Sequence, residues 1–263
     1  MIEIRDLFDN ESKITYSVEF MEKFRNELII NDITIPEDFG LMMIVKAEHM
    51  QSLTKIIIDY MTIILGVKIP ATKIAGYRDH TDLPTKHAFH VYLNRCGGML
   101  TKGFYYPSDN EVYIEIGKHL RLVLPTMFHE MMHSWINFEG IAIIDDYPIV
   151  QSGCFDFESM MHETNQEEGL CELAASLMCY HIFDVDRYPS NVDEYWLGWR
   201  LCVQSFISFV NFINKQFTNQ SNIWITKMAF SSLFNYIKNT NNLYKFVQYV
   251  PKNIYQRTKC IHF

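Results

Sequence analysis

The stretch Leu124 to Gly140, LPTMFHEMMHSWINFEG, constrains this chain more than any other, because it sets His129, Glu130 and His133 in the order HExxH. On an α-helix, positions i and i+4 lie one above the other on the same face, so both imidazoles can serve one cation. The local pattern predicts that helix. Pro125 suits a first turn, Phe128, Met132, Trp135 and Ile136 recur at helical spacing, and Gly140 is a natural stop. Imidazole nitrogens are good zinc ligands, and a catalytic zinc site takes three protein ligands plus a water whose pKa falls toward neutrality. Glu130, beside the first histidine, is then placed to take that water's proton. A buried helix with merely hydrogen-bonded histidines would carry the same letters, so the reading requires a third ligand.

The segment Asn165 to Tyr180, NQEEGLCELAASLMCY, supplies the best candidate and also reads as a helix. Glu168 precedes Gly169, whose missing side chain permits close approach of backbones. Glu172 follows one turn later on the same face, where it can accept a hydrogen bond from the free ring nitrogen of a ligand histidine and fix its tautomer. The alternative is a solvated first turn, in which Glu167, Glu168 and Glu172 only complement the helix dipole.

Together these motifs resemble the gluzincin pattern, HExxH followed by a glutamate ligand on a second helix, as in thermolysin-like peptidases and the NEG-containing aminopeptidases. HEMMHSW followed by EEGLCE is similar in particular to the peptidase domain of the ubiquitin-activated, LIM-domain-bearing organ-size peptidases of plants, over roughly Gly103 to Tyr180. The resemblance implies a zinc peptidase with His129, His133 and Glu168 as ligands and Glu130 as general base. Two features depart from it. The segment from Ile141 to Gln166 is longer than in that family, which leaves Glu158, His162 and Glu163 as rival third ligands, and no CxxC pair is present to build a LIM module.

Composition narrows the setting. The apolar fraction is 48%, enough for a large core, and the six cysteines, at 96, 154, 171, 179, 202 and 260, show no paired spacing. Free thiols among apolar residues, as at Cys171 and Cys179, pack as small hydrophobes, so a reducing, intracellular compartment is expected, with delivery into a host cell as a further route. The first residues contain no signal-peptide core, and the most apolar run, Ile56 to Leu65, is interrupted by Asp59 and too short to span a bilayer. Net charge is −8, but from Tyr195 onward there are eight Lys or Arg and no acid, which leaves −16 over residues 1–194. An acidic catalytic part suits a cation and argues against nucleic acid as a partner. The basic region either docks on that acidic part or meets an acidic partner such as ubiquitin or a membrane surface.

Elsewhere the pattern predicts short pieces over residues 1–40, then a long helix or two shorter ones from Gly40 to Gly66, in which His49 is a surface or capped residue. Asp79, His80, Asp82, His87 and His90 form a loose cluster of ligand types, and HAFHVYL (87–93) alternates like a strand. Met99 to Ile116 reads as a hairpin around PSDN, with EVYIEI as an edge strand for an extended peptide. Tyr180, His181, Tyr188 and Tyr195 are candidate oxyanion donors. Helices follow from Tyr195, broken by asparagine-rich turns at 219–222 and 239–242.

The expectation is therefore a mainly helical α+β chain with a gluzincin-like core and a small antiparallel sheet beside the HExxH helix. It has a scaffold at 1–98, a peptidase core at 99–194 and a basic helical region at 195–263, or one compact domain. The activity implied is cleavage of protein or peptide substrates. The alternatives are hydrolysis of a non-peptide amide or ester and a non-catalytic, metal-containing binding module.

Overall fold

A computed structural model describes residues 4–8, 15–85, 88, 102–141, 166–187 and 193–240. The chain divides into two compact units. It is mainly helical, with one small mixed sheet.

The first unit, residues 15–63 and 67–140, contains the HExxH segment. Its first helix, α1 (Ser17–Ile30), buries Phe20, Phe24 and Leu28, three apolar residues at four-residue intervals, where short pieces are expected from the sequence. α2 (Met50–Ile64) packs on it, with Phe20 and Tyr60 rings 5.4 Å apart. The helix expected from Gly40 begins only at a 3-10 turn, Ala47–His49. Residues 43–45 instead run extended: Leu120 N–H donates to Met43 C=O, Val45 N–H to Lys118 C=O and Gly117 N–H to Val45 C=O. That pairing satisfies backbone groups just ahead of the HExxH helix, so it outweighs the helical spacing of the side chains.

The sheet has the order β1 (Lys73–Tyr77), β3 (Glu111–Glu115), β2 (Gly103–Tyr106). β2 and β3 form the expected hairpin, in register Gly103 with Ile114 and Tyr106 with Glu111. β1 runs parallel to β3, so the sheet is mixed rather than antiparallel, and EVYIEI is its middle strand rather than an edge. The consecutive burial of Val112, Tyr113 and Ile114 is what a central strand covered on both faces requires. The strand expected at 87–93 lies outside the described residues.

α3 (Leu120–Phe138) follows β3 and packs on β2 and β3. It starts four residues before Leu124, which puts Pro125 inside the helix instead of in its first turn. It stops as expected: Gly140 has φ +67, and its N–H donates to Asn137 C=O.

The second unit contains α4 (Gln166–Phe183), α5 (Asp193–Gln216) and α6 (Asn222–Thr240). α4 is buried on every side from Leu170 to Ile182, mostly through apolar residues, with Glu172, Ser176 and His181 buried among them. Gly169 meets α5 backbone to backbone: a Cβ there would lie 2.1 Å from the Gly198 carbonyl carbon. The expected close approach exists, and its partner is Gly198. His181 Nε2 is hydrogen-bonded to Thr226 Oγ1 at 2.8 Å, tying α4 to α6. No described helix is long and apolar enough to cross a membrane.

Two predictions follow from burial. Gly169→Ala forces backbone against a methyl group and should cost about 3 kcal/mol, the upper end for overpacking, in urea unfolding; a loss within about 0.5 kcal/mol contradicts the packing. His49 is fully buried, and its Nδ1 accepts the Lys46 N–H at 3.1 Å, so it is a capping residue and not a surface one. Desolvation holds its imidazole below the ordinary 6.5, with Glu48 opposing and Lys46 assisting. The native state keeps it neutral, whereas the unfolded chain takes up a proton below that value. Its contribution is thus complete above pH 6.5 and is lost as pH falls toward the depressed native value. Between about pH 7 and 5 the wild type should lose more unfolding free energy than His49→Gln; equal losses contradict this.

Candidate metal centre

α3 carries His129, Glu130 and His133 as the motif requires. His129 and Glu130 are each 8% exposed, and His133 is half-buried. The two Nε2 atoms face each other at 3.1 Å, with ring centroids 4.9 Å apart and planes at 65°. Two nitrogens bound tetrahedrally at about 2.0–2.1 Å lie about 3.3 Å apart, so the pair already has the spacing of two ligands on one ion. Like-charged imidazolium rings would not adopt it, since two positive rings at this distance repel.

The next turn of α3 is fastened to the sheet. Ser134 Oγ is hydrogen-bonded to Thr72 Oγ1 and donates to Asn110 Oδ1 at 3.2 Å. Tyr105 OH donates to the same oxygen at 3.1 Å and accepts from Asn137 Nδ2 at 2.8 Å, while Asn110 Nδ2 donates to Ala71 C=O at 3.1 Å. Asn110 closes the hairpin at φ 50, a left-handed conformation that asparagine tolerates. One turn residue thus links β1, the hairpin and the end of α3 that bears His133.

In the second unit, α4 presents Glu168, Cys171 and Glu172 at i, i+3 and i+4, on one face. Cys171 is fully buried, Glu168 is half-buried, and Glu172 is buried with Oε1 accepting from Arg187 Nη2 at 3.1 Å. The Arg187 partner was not legible beforehand, because it follows the end of α4 and nothing in its spacing marks it. Cys179 and Cys202 are packing groups: burial pushes the Cys179 thiol up to about 12, despite nearby Arg187, and that of Cys202 well up also. His129 and His133, on one face of α3, are a pair that could hold a metal ion, with the identity of the metal left open.

Tyr180 is 3% exposed and stacks on Phe8, and His181 is engaged with Thr226, so both serve packing within the second unit. Asp82 caps its own 3-10 turn, accepting the Arg78 and Asp79 backbone N–H groups, which hold its carboxyl below the usual range; His80 pairs with Asp79. Glu158, His162, Glu163, His87, His90 and Tyr188 lie outside the described residues, as does the side chain of Tyr195. Compared with family models, with curated proteins and with solved structures, the chain matches none.

Asn110→Ala removes two accepted hydrogen bonds and one donated bond. It should cost about 2–3 kcal/mol in chemical unfolding, at roughly 1 kcal/mol per bond. An unchanged midpoint would show that the clamp does not hold.

Proposed function

We propose that this chain is a zinc-dependent metallopeptidase acting on protein or peptide substrates. The observation that carries the reading is the buried HExxH face of α3, with two Nε2 atoms 3.1 Å apart and Glu130 on the same helix. His129 and His133 are ligands, and Glu168 is the third, as the resemblance of HEMMHSW and EEGLCE to the gluzincin pattern implies. Zinc held there would supply Lewis acidity, which makes water a nucleophile near neutral pH. Glu130 accepts the proton of the attacking water and delivers it to the leaving nitrogen, the work of a carboxylate kept out of bulk solvent. Glu172 orients a ligand and is itself held by Arg187. The basic region from Tyr195 onward is the docking side for an acidic partner, ubiquitin among them.

Cys171, three residues after Glu168 on the same face of α4, offers a second ligand set, two imidazoles and one thiolate, which also suits zinc. In that case Glu168 acts on the substrate side, or the site is a metal-containing binding module without turnover.

Purified protein should contain one zinc per chain and cleave a mixed peptide library. Glu130→Gln should keep the metal and lose turnover by about 10²–10⁴-fold. If Glu168 is the ligand, Glu168→Ala lowers zinc affinity by more than the roughly 10–100-fold that loss of an outer partner costs, and Cys171→Ala does not. The converse assigns Cys171. Retained hydrolysis in Glu130→Gln contradicts the peptidase reading.

A further inference from the structure

Gly103 opens β2, opposite Ile114 of the central strand. A Cβ at this position would lie 2.7 Å from Thr126 Cγ2, 3.0 Å from Glu130 Cγ and 3.1 Å from Ile114 Cδ1. Thr126 and Glu130 are four residues apart on α3, so the hairpin backbone rests on the stripe of the helix that carries the proposed base. The three neighbours are not equally able to move. Thr126 is buried, β-branched and restricted at χ1, and Ile114 is fully buried in the sheet. Glu130 has the longest and most flexible stem. A methyl group at 103 therefore strains against Thr126, which costs stability, and turns aside the Glu130 side chain, the neighbour best able to move.

We infer that Gly103 is a positioning residue for Glu130: its missing side chain lets the β2 backbone flank the carboxylate stem and set where the carboxylate points. This rests on the reading of Glu130 as general base. No contact of Gly103 with substrate is involved. Misplacing a reacting group by about 1 Å can cost 10²-fold in rate.

Three chains test it: Gly103→Ala, Thr126→Ser and the double variant. Thr126→Ser removes the methyl carbon responsible for the shortest approach, so the double variant should recover the melting temperature that Gly103→Ala loses. It should not recover turnover. On a quenched fluorescent peptide selected from a mixed library, kcat of Gly103→Ala and of the double variant should fall by about 10²-fold, with KM and zinc content unchanged. A crystal structure of metal-free Gly103→Ala should show the Glu130 carboxylate displaced while the backbones of 103–106 and 126–130 superpose on the wild type. The inference is overturned if Glu130 stays in place and β2 moves instead, or if Thr126→Ser restores kcat together with stability. Glu130→Gln separates the two levels: if it leaves hydrolysis intact the peptidase reading fails, and the crystal structure still decides the placement. If Glu130→Gln abolishes hydrolysis and Gly103→Ala does not lower kcat, the positioning inference alone fails.

Discussion

Two imidazoles one helical turn apart, with their Nε2 atoms 3.1 Å from each other, set the terms for the unit that holds them. That approach is tolerable for a pair sharing a hydrogen bond and favourable for a pair sharing a cation, but not for two protonated rings. The adjoining carboxylate of Glu130 is 8% exposed, and burying an ionised acid is costly without compensating positive charge. A divalent cation at the imidazole pair, as proposed, would add such charge while both rings stay neutral, as metal binding requires.

The surrounding structure keeps this arrangement rigid. The extended residues 43–45 fix where α3 begins, and Asn110 fastens the turn after His133 to the sheet. Gly103 brings the hairpin backbone against the stem of Glu130. Each contact is made by a different segment, and each bears on the same four turns of helix. A ligand pair built on a helix held in this way stays closer to its working geometry than one built on loops.

Periodicity and end signals made the core of this arrangement legible. The HExxH helix, its stop at Gly140, the α4 helix and the β2–β3 hairpin all follow from local pattern. Competition between local and distant partners hid the rest. Residues 41–46 have helical spacing, yet backbone pairing with 117–120 draws part of that run into an extended form. β1 is five residues with little apolar contrast, and only its parallel pairing with β3 makes it a strand. The regular spacing of Phe20, Phe24 and Leu28 was present in the letters but lay among charged residues that obscured it. Pro125 suits a first turn because proline is common there, whereas the apolar residues Leu120, Val123 and Leu124 carry the helix upstream of it.

The most direct test is zinc K-edge X-ray absorption of the full chain after reconstitution with one equivalent of zinc. The account predicts a four-coordinate ion with the scattering signature of two imidazoles at about 2.0–2.1 Å, lost in His129→Ala and in His133→Ala. A spectrum lacking imidazole scattering, or one unchanged when both histidines are replaced, contradicts it.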